Sequence, residues 1–158
     1  VTDDLAEQAR TLIDANRYMV LGTVDPDGRP RVSPVYFAPD GFSLVYWFSS
    51  PESHHSRNIA ERPEISIVIF DSTAEIGAGQ AVYLIASAEQ VPDDELESCL
   101  DAANGRQFAG LRAFTADELR APGDLRLYRA RVSEHEVHVP GRHPVHGTGI
   151  DRRVAISL

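Results

Sequence analysis

The chain is 158 residues long and 42% hydrophobic, which suits one compact domain. Its 15 basic and 24 acidic residues leave a net charge of −9, the wrong sign for a general binder of nucleic acid or of anionic membranes. All 15 basic residues are arginine, so covalent pyridoxal phosphate chemistry on a lysine and a Walker-type phosphate loop are both excluded. Cys99 is the only cysteine, which removes an intrachain disulfide and a thiolate zinc cluster. No run approaches the roughly 18 apolar residues of a spanning helix, and the start Val1-Thr2-Asp3-Asp4 lacks the basic region of a signal peptide, so a cytoplasmic protein is expected.

Thr2, Asp3 and Asp4 have the chemistry of a helix start, and Leu5, Ala9, Leu12 and Ile13 recur at helical spacing, predicting an amphipathic helix within residues 1–16. From Tyr18 the period changes to two. Strands are predicted over 18–24, 31–38 and 42–49, and the turns Asp25-Pro26-Asp27-Gly28 and Pro39-Asp40-Gly41 would join them as an antiparallel meander. Ser50-Pro51-Glu52-Ser53 marks the start of a helix that ends before Pro63. Strands return over 65–71 and 80–91, and Pro92-Asp93-Asp94-Glu95 opens an acidic helix reaching about Ala103. Thr115-Ala116-Asp117-Glu118 opens a shorter helix, and a long strand over 125–139 precedes a tail at 140–158 rich in glycine, proline and histidine. The expectation is a mainly β (α+β) fold: a six-stranded antiparallel barrel over 17–139 with peripheral helices.

Several strands are apolar on both faces, which a sheet with one solvated face does not need. Phe42, Leu44, Tyr46 and Phe48 alternate with Val45 and Trp47, and Val35 and Phe37 alternate with Pro34 and Tyr36. One face fills the barrel, and the other requires a cover. A homodimer through faces that include Tyr36 and Trp47, or a planar ligand, is expected, with cover by the chain's own helices as the alternative.

The segment Ser49-Ser50-Pro51-Glu52-Ser53-His54-His55-Ser56-Arg57-Asn58 places hydroxyls, two imidazoles and a guanidinium at a strand-to-helix turn, where free backbone amides bind anions. Plain helix capping is the competing explanation of its serines. Taken with Leu21-Gly22-Thr23-Val24-Asp25-Pro26-Asp27-Gly28-Arg29-Pro30-Arg31-Val32-Ser33-Pro34-Val35, Trp47-Phe48 before it and Arg62-Pro63-Glu64-Ile65-Ser66 after it, the segment resembles the pyridoxamine 5'-phosphate oxidase-like family of FMN-binding split barrels.

That resemblance implies FMN at a homodimer interface and a small-molecule substrate. It implies Arg31, Val32, Ser33 and Pro34 beside the phosphate and flavin edge, with Val35 close by, and Phe48, Ser49, Ser53, His54 and His55 as a second wall, with Arg57 near enough in sequence to help. Gln80 lies within one position of a family glutamine that reaches the flavin from the partner subunit. His55 stands where the family commonly has a phosphate-binding lysine, so its protonation is expected to couple to phosphate binding. The arginine-rich terminal motif of the authentic oxidases has no match in Asp151-Arg152-Arg153-Val154-Ala155-Ile156-Ser157-Leu158, which points away from pyridoxamine phosphate oxidation itself.

No metal site is expected. His135 and His138 fall on opposite faces of a strand, and His143, His146 and Asp151 belong to a loose tail without thiolates or an HExxH pattern. Cys99 reads as a packed side chain, and Asp93, Asp94, Glu95, Glu97 and Asp101 as a solvated helix face. Three functions compete: an FMN-dependent oxidoreductase in which the cofactor carries the chemistry, a reductase using a deazaflavin coenzyme with an acidic tail, and a non-enzymatic dimeric barrel that binds flavin or another planar ligand weakly or not at all.

Overall fold

The computed structural model describes residues 3–106, 108 and 110–158. In chain order it contains α1 (Asp3–Ala15), β1 (Tyr18–Val24), β2 (Pro30–Tyr36), β3 (Ala38–Asp40), β4 (Leu44–Ser49), α2 (His54–Glu61), β5 (Glu64–Phe70), β6 (Ala81–Gln90), α3 (Leu96–Ala103), a 3-10 turn at Asp117–Leu119, β7 (Arg126–Val139) and β8 (Arg152–Ile156). Thr2, read as part of the first helix's start, lies outside the described residues.

One antiparallel sheet takes every strand, in the order β2-β1-β5-β6-β7-β4-β3, with β8 beside the second half of β7. Its two ends, β2 and β3, are separated in sequence by Phe37 alone, so the sheet must curl until its edges approach each other. No ladder closes that seam among the described residues, and the result is the expected split barrel, open between β2 and β3. The 14-residue β7 spans two environments: residues 126–131 pair with β4, and 135–139 pair with β8. A bulge opposite Ile85 and Ala86 bends it between them, and the Ser133 hydroxyl donates to the Ile85 carbonyl at 3.1 Å.

Three expectations need correction. The meander does not form: the predicted 31–38 strand breaks at Phe37, which is fully buried, and β4 pairs with β3 and β7 rather than with β2. The tail contains β8, a strand the sequence hides because it lies at an edge with its residues half-buried or exposed. Trp47 has no exposed surface; it fills the barrel and stacks on Tyr128 with ring centroids 5.7 Å apart, so it cannot present itself to a second copy.

Two layers account for the two-faced apolar strands. Inside the barrel, Met19, Leu21, Trp47, Ile67, Ile69 and Leu84 pack with the apolar stripe of α1, Leu5, Ala9, Leu12 and Ile13. On the far side of β4, Tyr46 and Leu127 are buried under Leu96, Cys99 and Ala103 of α3 and under Leu119, with Leu44 and Phe48 packed at the margin. The cover of β4 is therefore intramolecular. Across β2, β1, β5 and β6 the outer face has no helix over it among the described residues: the residues directly opposite one another form the rows Pro34, Val20, Val68, Tyr83 and Val32, Gly22, Ser66, Ile85. The first row is closed at its end by the Arg153 guanidinium, 3.6 Å over the Tyr83 ring.

Candidate functional site

The β1–β2 turn and the β4–α2 connection meet at one carboxylate. Asp25 directly follows β1 and is 6% exposed. Its Oδ2 accepts a 2.8 Å bond from Arg31 Nε, and its Oδ1 lies 2.7 Å from His54 Nε2 and 2.9 Å from the amide nitrogen of Asn58. Asn58 also donates to the Thr23 hydroxyl, and the Arg62 guanidinium reaches the backbone carbonyls of Asp25 and Pro26, tying α2 to the turn. The Arg31 bond, then those from Asn58 and His54, hold the Asp25 carboxyl well below the usual carboxylate range, so it is ionised.

Beside it stands a hydroxyl and imidazole network. Ser49, 8% exposed at the end of β4, lies 2.8 Å from His55 Nε2 and 3.0 Å from Ser53 Oγ, and Ser53 donates to Ser56 at 2.8 Å. Ser53 sits at the N-cap of α2 but makes no side-chain capping bond to the helix amides, since its hydroxyl is engaged in this network. The first-turn amides of α2 are thus left for another acceptor. Arg31 uses only Nε on Asp25, and no described residue takes its two terminal nitrogens. Arg57 donates to the Glu52 carbonyl, and Arg57 and Arg62 are both without a carboxylate partner among the described residues.

The residues singled out in the sequence divide accordingly. Arg31, Ser49, Ser53, His54, His55 and Arg57 converge on the start of α2. On β2 the side chains alternate: Arg31, Ser33 and Val35 lie opposite Thr23, Leu21 and Met19 on the inward face, whereas Val32 and Pro34 point to the outer face. Phe48 is not brought to the site; it faces away from Ser49 and packs on Phe114 at a centroid distance of 4.5 Å. Gln80 lies elsewhere on this chain, at an exposed hollow with Gly77, Gly79, Pro140 and Arg142. His55, expected as a cationic substitute for lysine, is half-buried, and burial followed by the neighbouring His54 pushes its pKa down, so it is neutral near pH 7. Asp25 itself was missed because Asp-Pro-Asp-Gly is fully explained as a turn. Among the described residues no group of three or more His, Cys, Asp or Glu side chains is placed to hold a metal.

A neutral hydroxyl pocket, an uncapped helix start and a guanidinium with free nitrogens suit a phosphate, and the fold carrying them has relatives. Residues 5–138 match the pyridoxamine 5'-phosphate oxidase family. The chain belongs to that family. Similar folds include a heme binding protein from Mycobacterium smegmatis, with TM-score 0.69 and 26% identity over 95% of this chain. This chain spans 57% of that protein's length. An F420 reductase aligns with TM-score 0.59 at 24% identity over 80% of this chain and 94% of its own, and an FAD-binding protein from Mesorhizobium loti with TM-score 0.61 at 20% identity over 84% and 92%. No curated protein matches the sequence significantly. Proteins of this fold are described by different ligands, heme, F420 and FAD, so the ligand must be argued from this chain's residues.

Proposed function

We propose that the chain is an FMN-dependent oxidoreductase acting on a small organic substrate other than pyridoxamine phosphate, working as a homodimer in the cytoplasm. The observation that carries this reading is the start of α2: the N-cap hydroxyl of Ser53 is turned away from the helix amides, and Arg31 is held by one edge with its remaining donors free. Amides and guanidinium together supply the donors of a phosphate site without any lysine. The chain's part is to grip the phosphate with Arg31 and α2, to keep Ser49, Ser53 and His55 as neutral hydrogen-bonding partners, and to offer apolar walls with Val32 and Pro34. A flavin bound there supplies hydride transfer, the cofactor's own chemistry.

A deazaflavin coenzyme is the second reading. Its acidic tail needs a basic groove, and although the net charge is −9, Arg57 and Arg62 lie next to the site without carboxylate partners among the described residues. Visible absorption of the purified protein, then denaturation and chromatography of the released chromophore, separates the readings. FMN is expected. A deazaflavin or heme in its place, or a colourless protein that FMN titration leaves unchanged, overturns the proposal, the last outcome favouring a barrel without redox activity. Arg31→Ala is expected to weaken FMN about tenfold to a hundredfold, the loss of one charged hydrogen-bonding partner.

A further inference from the structure

We infer that the outer face of the sheet carries a slot for a planar aromatic carboxylate, with the ring against Gly22 and Ser66 and the carboxylate on Arg153. The inference rests on the reading above only in taking that ligand as the substrate, because Val32, at one end of the slot, is a wall offered there to the flavin.

The floor is set by two small residues. In the row Val32, Gly22, Ser66, Ile85 they occupy the middle, and the ends are three strand spacings, about 14 Å, apart. A Cβ at Gly22 would stand 3.1 Å from the Ser66 carbonyl oxygen, so glycine keeps the floor at the level of the backbone. Val32 and Ile85 rise at the two ends, and the neighbouring row of Val20, Val68 and Tyr83 forms one long side. The hollow so enclosed is about 240 Å³, enough for a small fused aromatic ring system. A ring lying flat on this floor stays below the tip of Val32, which is 74% exposed, so the slot is compatible with a second copy on the same face.

Arg153 supplies the charge. It reaches from β8 across β7 and lays its guanidinium over the Tyr83 ring, 3.6 Å from the centroid, at the border of the hollow. Stacking fixes the plane of the guanidinium and leaves its edges accessible. Among the described residues Arg153 donates no hydrogen bond, and its approach to an acid, Nη1 to Glu136 Oε2, is 3.7 Å. That loose pair leaves donors for a planar carboxylate, which a guanidinium grips through two parallel bonds. Glu136 and Glu134 lie opposite Tyr83 and Ile85 on β7, yet no acidic side chain lines the hollow. Their nearby charges disfavour a dianion and leave a singly charged ligand as the match. The remaining walls carry no charge, so the body of the ligand is apolar.

Calorimetric titration of the whole chain with naphthoate and with its uncharged amide, with and without FMN, tests the slot. The wild type is expected to bind the acid about tenfold more tightly than the amide, the worth of one charge-assisted hydrogen-bonding partner. Arg153→Gln is expected to remove that preference while still binding the amide. Ser66→Leu, which fills the floor from an exposed position, is expected to abolish binding of both. A wild type that binds neither compound at millimolar concentration, a preference for the acid that survives Arg153→Gln, or binding untouched by Ser66→Leu overturns the inference. Nuclear Overhauser contacts in the wild type give a check that needs no variant: the naphthoate ring is expected against the methyls of Val32 and Ile85, and contacts elsewhere overturn the slot. The two readings fail separately. Naphthoate bound in the slot of a chain that takes up no FMN removes the flavin reading and keeps the slot, whereas FMN bound without naphthoate removes the slot alone.

Discussion

At the scale of single residues, Asp25 organises the site, and its ionisation ties the site to the stability of the fold. Its folded pKa is depressed, first by Arg31, then by Asn58 and His54. A carboxylate of this kind contributes stability that is complete above its unfolded value of about 3.9 and is lost as pH falls below it toward the folded value. Asp25→Asn keeps the shape but cannot accept from three donors with a full charge. The variant is expected to melt below the wild type at pH 6 to 7, with the gap closing as pH drops below about 4. Thermal unfolding at a series of pH values reads this directly, and a gap that stays constant into acid would show that the depressed pKa is not realised. Arg129 presents a contrasting case: 5% exposed, it is bonded to Glu89 at 2.6 Å and Glu95 at 2.8 Å, and both carboxylates are nearly half exposed, so that cluster pins β7 to the start of α3 and offers no free donor edge.

At the scale of elements, the second face of β4 is covered by the chain itself, and the cover is an energetic commitment. Leu119 has no exposed surface and packs with Tyr46, Leu127 and Leu96. Leu119→Ala is expected to cost about 2–5 kcal/mol, seen as a lower denaturant midpoint with an unchanged slope. Loss of well under 1 kcal/mol would mean that the 3-10 turn is a loose flap rather than a lid on β4. The same comparison explains what the sequence could disclose. β1, β5 and β6 alternate strictly, because one side of each faces the barrel, and their periods are legible. The apolar stripe of α1 and the two turns were legible for the same local reasons. The break at Phe37 was not, since an apolar residue continuing an alternating run carries no local sign of a change of sheet edge. β8 was hidden because β7, not its own pattern, makes it a strand. The start of α2 was recognisable as a candidate anion site from its residue types, but the pairing of His54 with Asp25 spans 29 residues, and only the packing of α2 against the end of β1 brings them together.

At the scale of the whole molecule, the uncovered rows across β2, β1, β5 and β6 set the question of partner. Val32 is 74% exposed, and Val20, Val68, Tyr83 and Ile85 are half-buried beside it with no helix above them among the described residues. A largely apolar, uncovered face of this kind is unusual on a monomer and suits the same face of a second copy about a two-fold axis. It is also the face that carries Val32 and Pro34, so a partner seated there would stand next to the proposed flavin edge. Val68→Arg tests this arrangement. In a single chain the new guanidinium at the half-buried position extends into solvent and leaves the barrel interior untouched, so thermal stability measured on dilute protein should change little. In a dimer it is desolvated against an apolar face, where an unpaired charge costs far more than the packing it replaces. The variant is therefore expected to sediment as a folded monomer at micromolar concentration where the wild type sediments as a dimer, and to hold FMN more weakly although Arg31, Asp25 and the start of α2 are unaltered. A wild type that is monomeric at that concentration, or a Val68→Arg dimer indistinguishable from it, would place the interface elsewhere. FMN affinity that survives full dissociation would mean instead that one chain's phosphate grip is sufficient, and that the outer face serves assembly alone.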